Sequence, residues 1–270
     1  MFYLQRVITL AACCLLVLQV SPKLQAQTAC IGSYTLNVTV NNCSPGELVK
    51  VKMYLQGKYS AASGQMQVTS QFLNIIPLSQ PYNGAPWNYT GTESIATRPA
   101  QLIDWVLVQV FNPGNQSLVE TKAALLLNNG NVVDALWVTD NTISGVYFSN
   151  ITANSPYYIA VRHRNHLAVF GQNTVVLPNT ASYDFSNSAN VLGGSGQLAS
   201  FPGSVFALLA GDYDSNGIIS VTDYNGYSAQ SSQFNQYLDS DFNLDYANTV
   251  ADFNLYQPNA SKIGVPQIRY

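Results

Sequence analysis

The tightest constraint in this chain is a pair of acidic segments in its last sixty residues. The first reads Asp212-Tyr-Asp214-Ser-Asn216-Gly217-Ile218-Ile-Ser220-Val-Thr-Asp223. The second starts 29 residues later and reads Asp241-Phe-Asn243-Leu-Asp245-Tyr246-Ala247-Asn-Thr249-Val-Ala-Asp252. Each places oxygen-bearing side chains at positions 1, 3, 5 and 12 of a twelve-residue loop. A hard cation such as calcium needs six or more oxygens converging at about 2.3–2.6 Å, and a loop of this pattern can supply them.

The expected ligands are the side chains of Asp212, Asp214, Asn216 and Asp223 in the first loop, and of Asp241, Asn243, Asp245 and Asp252 in the second. Ile218 and Ala247 would add a backbone carbonyl at position 7. Ser220 and Thr249 fill position 9, directly or through a water. Gly217 supplies the sharp turn at position 6, whereas Tyr246 stands there in the second loop, where a residue without Cβ is favoured. The bland alternative is a pair of Asx turns in an acidic surface. Charge favours the cation: residues 212–252 hold seven Asp and no Lys or Arg, while residues 27–211 balance seven acids against seven bases. The expectation is two structural calcium ions, because the cell exterior keeps even modest sites filled.

The repeat runs past the loops into Val221-Thr-Asp-Tyr224-Asn-Gly-Tyr227 and Val250-Ala-Asp-Phe253-Asn-Leu-Tyr256. Each tail reads as a short helix whose rings pack against those of the other copy.

The start of the chain points to export. A basic Arg6, an apolar run from Val7 to Val20 and a small residue at Ala26 describe a secretory signal over residues 1–26. Cleavage at Cys13, as a lipidation site, is the alternative. The apolar run is short of the roughly 20 residues a membrane span needs. After cleavage Cys30 and Cys43 remain, and in an exported chain the natural reading is a disulfide between them.

From Cys30 to about Pro202 the signals are those of strands. They are Tyr34 to Asn41, Glu47 to Leu55, Leu102 to Phe111, Ala123 to Leu127 with a hairpin turn at Asn128-Asn-Gly130, Gly145 to Asn150, Tyr157 to Phe170, Thr174 to Leu177 and Ala181 to Phe185. Strands of this length between Asn, Gly and Pro turns predict a mainly β fold, a β-sandwich over residues 27–203. A small module over residues 204–270 follows, with the two EF-hand-like loops and short helices. The Pro-, Tyr- and Asn-rich stretch from Ile75 to Ala100 reads as an excursion packed on one end of the sandwich.

The paired loops resemble the duplicated calcium loops of dockerin-type modules over roughly 60 residues. What carries over is the calcium ligands. The repeat is longer than is usual there, Tyr246 departs from the pattern, and no Lys-Arg pair follows the loops, so cohesin binding is not carried over. The preceding domain resembles a module of large secreted proteins of the Bacteroidota, through Val49-Lys-Val-Lys-Met-Tyr-Leu-Gln-Gly57, Asp104-Trp-Val-Leu-Val108, Ala123-Ala-Leu-Leu-Leu127, Tyr158-Ile-Ala-Val-Arg-His-Arg-Asn-His-Leu167 and Ala210-Gly-Asp212. That resemblance implies a secreted or cell-surface protein.

No nucleophile elbow, HExxH motif or phosphate-cradling glycine loop occurs, so no enzyme is expected. The two histidines, His163 and His166, lie three apart and would face opposite sides of a regular strand. Pairing of Arg162 or Arg164 with Asp104 or Asp134 is expected. No basic patch suits nucleic acid. Charged residues make up only 9% of the chain, against about 25% in ordinary domains. A surface so weakly self-repelling suits matrix, filament or lattice proteins. The leading expectation is therefore a non-catalytic structural or assembly protein of the cell exterior, with protein partners or self-association. The alternative is an adhesin or carbohydrate binder that uses Trp87 in the Pro-Trp-Asn-Tyr loop, and a hydrolase ranks last.

Overall fold

The computed structural model describes residues 46–270. The signal segment, the Tyr34 to Asn41 strand and the Cys30–Cys43 pair lie outside the described residues.

Leu102–Phe111 is the organising strand. Its sequence is a near-continuous apolar run, and all ten of its residues are buried, so the sheet is covered on both faces here. It pairs antiparallel with Leu118–Leu127 on one side and Ser155–His163 on the other. The main sheet runs, in spatial order, His166–Phe170, Ser155–His163, Leu102–Phe111, Leu118–Leu127, Asn131–Val133, Val51–Lys52 and Tyr183–Asp184. All neighbours along this path are antiparallel except the last pair. Val175–Leu177 adds to the far end of Ser155–His163. Two-stranded ribbons, Glu47–Val49 with Val146–Phe148 and Leu198–Phe201 with Val205–Leu208, accompany this sheet. The chain is thus mainly β, consistent with a β-sandwich.

Two expected strands are re-drawn. Glu47 to Leu55 does not stay in one sheet: Glu47–Val49 joins the ribbon, and Val51–Lys52 joins the main sheet. Tyr157 to Phe170 is not one strand but a hairpin, which turns at Arg164 and Asn165 and pairs His166 with His163. His163 and His166 therefore face one another across the turn instead of pointing to opposite sides. Their ring centroids are 4.9 Å apart.

The excursion from Ile75 to Ala100 is anchored through Trp105. The buried Tyr82 donates its hydroxyl to the Trp105 carbonyl at 2.7 Å, and the Trp105 indole donates to the Pro77 carbonyl at 2.8 Å. Residues 46–270 pack as one unit. A second, smaller core gathers Leu167 of the hairpin, Leu209, Ile219, Tyr227, Phe242 and Tyr256, while Leu244 of the second acidic loop reaches the main core.

Candidate metal centre

The first loop leaves the strand Val205–Leu208 through Gly211 and turns on itself by Asx geometry. Asp214 Oδ1 accepts from the Asn216 amide at 3.1 Å, and Asn216 Oδ1 accepts from the Ile218 amide at 2.8 Å. Asp212 Oδ2 accepts from the Gly217 amide at 3.2 Å. Ser215 and Gly217 take left-handed conformations, with φ of 57° and 86°. Gly217 is needed twice over, for that φ and because a Cβ would come within 2.8 Å of Arg269 Cγ.

This winding brings one carboxylate oxygen each from Asp212, Asp214 and Asp223 within 4.8 Å of one another. Asp212 is 1% exposed, and its Oδ1 is buried without a hydrogen-bond partner. Burial, and then the neighbouring Asp223 and Asp214 charges, push the Asp212 carboxyl up to about 8, and Asp223 is raised mainly by burial. Like charges held this close out of water are relieved either by a proton, which is what the raised pKa of Asp212 expresses, or by a cation among them.

The second loop repeats the frame. Asp241 accepts from the Asp245 amide at 3.0 Å and the Tyr246 amide at 2.9 Å; Asn243 accepts from Asp245 at 2.9 Å, and Asp245 from Ala247 at 3.0 Å. Leu244 and Tyr246 have φ of 53° and 89°, close to the values at Ser215 and Gly217. Tyr246 thus adopts the backbone of a glycine position. Burial pushes Asp241 up to about 7 and Asp252 up to about 6. The first loop's trio is the one acidic group that converges within 4.8 Å among the described residues.

Position 12 of each loop also caps the helix that follows it. Asp223 Oδ2 accepts from the Ser220 amide at 2.7 Å, and Asp252 Oδ2 from the Thr249 amide at 2.8 Å; both close capping boxes. The Ser220 and Thr249 hydroxyls in turn accept from Thr222 and Ala251, each at 3.2 Å, and so start the helices Val221–Ala229 and Val250–Tyr256. Ile218 and Ala247 lie in isolated bridges with Ile263 and Phe234. The rings of Tyr224 and Phe253 meet across the two helices at 6.0 Å, as the repeat led us to expect.

Between the loops lies a buried ionic cluster. Arg164 Nε donates to Asp104 Oδ2 at 3.1 Å, and its Nη1 donates to the Leu238 carbonyl and, at 3.3 Å, to Asp239. Asp104 also receives Tyr237 Oη and, at 3.1 Å, His163 Nε2. Burial pushes the Asp104 carboxyl up, but Arg164 and His163 outweigh it and hold it below the usual carboxylate range. Burial keeps His163 below its usual pKa, and burial with His163 and Arg164 keeps His166 well below. Their Nδ1 atoms lie 3.1 Å apart. The expected pairing of Arg164 with Asp104 is present. The extent of the cluster was not visible in the sequence, where the one hint was five polar residues interrupting an apolar run.

Trp87 is half-buried and stands edge-on to Tyr82, with ring centroids 5.0 Å apart. It borders an open cleft of about 390 Å³ whose other walls include Pro86, Tyr213, Asp214, Asn216 and Asp239. The excursion and the first acidic loop therefore meet at one surface depression.

No family model matches the chain, and no curated protein matches it. Among the solved structures that resemble it in part are two described as interface mutants of a type II cohesin–X-dockerin complex from Acetivibrio cellulolyticus. The C-terminal interface mutant is 15% identical, covers 81% of this chain and 97% of its own, and has a TM-score of 0.37. The N-terminal interface mutant is 18% identical, covers 58% of this chain and 81% of its own, and has a TM-score of 0.33. At such scores the likeness carries no weight for fold or function, which rest here on the residues.

Proposed function

We propose that this chain is a non-catalytic structural or assembly protein of the cell exterior, braced by two calcium ions in its acidic loops. The observation that carries the calcium reading is Asp212, whose Oδ1 is buried without a partner where two further carboxylates converge. Asp212, Asp214, Asn216 and Asp223 would hold one ion, and Asp241, Asn243, Asp245 and Asp252 the other. Carbonyls of Ile218 and Ala247 would complete the shells. The Ser220 and Thr249 hydroxyls are engaged as helix caps, which favours a water at position 9 in both. The ions would neutralise the carboxylates that burial otherwise drives towards protonation, and would fix the loops against the sheet.

The non-catalytic reading is supported by the histidines. Both are 1% exposed and sealed against Asp104 and Asn165, so they offer no face to a substrate. No helix among the described residues is long and apolar enough to cross a membrane. Export rests on the N-terminal pattern of Arg6, the run from Val7 to Val20, and Ala26. Partners at the cell surface would be other proteins or further copies of the chain.

Equilibrium dialysis against calcium tests this reading. Two ions per chain are expected, falling to one in Asp212→Ala, and a chain that binds none rules it out.

The cleft supports a second reading, a glycan contact, because Trp87 and Tyr213 could stack on a sugar while Asp239 and Asn216 accept its hydroxyls. Loss of glycan retention in Trp87→Ala would support it, and no retention of any glycan by the wild type would exclude it.

A further inference from the structure

The two proposed calcium loops share one fixed support. It is the turn of the sheet's hairpin, Arg164 and Asn165, which is inserted between them. On the first loop, Ser215 donates its hydroxyl to the Arg164 carbonyl at 2.6 Å, and the Gly211 amide donates to the Asn165 carbonyl at 3.1 Å. On the second, Asn165 Nδ2 donates to the Asp241 carbonyl at 2.8 Å, and Arg164 Nη1 donates to the Leu238 carbonyl. These contacts fall on position 1 of the second loop and on Leu238, three residues ahead of it, and on position 4 and the residue before position 1 of the first. Arg164, Asn165 and Asp241 are at most 1% exposed, so water cannot replace a lost partner.

We propose that the Arg164–Asn165 turn couples the two calcium sites, so that filling either loop raises the affinity of the other. The inference rests on the calcium reading above. Its physical basis is shared ordering. A loop that collapses around its ion fixes the turn, and the other loop then meets a support already in place and loses less conformational freedom on binding. The coupling must be reciprocal, because it is a free energy between sites.

Electrostatics alone predicts the opposite sign. Each loop carries three carboxylates among its ligands, and a first loop neutralised by a dication attracts a second dication less than an empty one does. Positive coupling therefore reports the turn and not the charges.

The test is calorimetric titration of the full chain with calcium alone. In the wild type the second ion should bind more tightly than the first, by roughly tenfold on the usual scale of such couplings. Asp252→Ala, which disables the second loop, should weaken the first by a similar factor. Asn165→Ala should leave two sites that fill independently. Should Asn165→Ala fail to fold, Ser215→Ala serves instead: it lies in the first loop outside the ligand set, yet it should weaken the second. Two sites that fill independently or with negative cooperativity in the wild type overturn the coupling and leave the calcium reading standing. A wild type that binds no calcium overturns both.

Discussion

Tyr227 donates its hydroxyl to the Thr249 carbonyl at 2.9 Å, and its repeat mate Tyr256 donates to the Ser220 carbonyl at 2.8 Å. Each helix thus carries, in its last turn, a tyrosine that holds position 9 of the opposite loop. The pair is reciprocal, which explains why both copies of the repeat retain a tyrosine seven residues from their helix caps.

Tyr227→Phe and Tyr256→Phe each remove one such bond and keep the ring. Each should cost about 0.5–1.5 kcal/mol, and the two costs should be similar because the sites are related by the repeat. Denaturant unfolding with and without calcium measures them.

Chelation should lower the melting temperature of the wild type reversibly. If free calcium stands at a hundred times its dissociation constant, one site contributes about 2.7 kcal/mol. Asp212→Ala combined with Asp241→Ala should melt at one temperature with or without chelator. A wild type indifferent to chelator would contradict the brace.

Arg164→Met leaves the Asp104 carboxylate, 0% exposed, without its cation. Breaking a buried pair in this way costs about 3–5 kcal/mol. Adding Asp104→Asn should recover part of the loss, since the orphaned charge is then gone. An Arg164→Met protein as stable as the wild type would mean that the cluster contributes nothing.

Gly217→Ala should destabilise by about 1–3 kcal/mol, from the positive φ and from contact with Arg269. Tyr246→Gly at the matching position relieves strain but loses packing against the main core, so its net effect should be smaller. Thermal melts of the two variants side by side decide it.

Acid should weaken the fold through the histidines. His163 and His166 have depressed pKa values when folded, so the unfolded chain takes up protons first as pH falls through about 6.5. Stability is therefore full above that pH and declines below it. The groups facing the pair are Asp104, Arg164 and Asn165. At saturating calcium, His166→Gln should flatten the fall in melting temperature between about pH 7 and 5. An unchanged slope would place the acid sensitivity elsewhere.

Much of this was legible in the residues, and the boundary is physical. The two acidic loops, their helices, the strand from Leu102 to Phe111 and the turn at Asn128 to Gly130 are local patterns. Spacing, period and turn chemistry over a dozen residues suffice to read them. The sequence by itself determined where carboxylates could converge. Only the tertiary structure decided that Tyr157 to Phe170 folds back at Arg164 and Asn165, and that this turn is buried between the loops. Its partners, Asp104, Leu238 and Asp241, lie 60, 74 and 76 positions away. A run of polar residues in a strand reads as a wet face because burying it unpaired is costly. Here distant chain supplies the partners, and no local pattern records them.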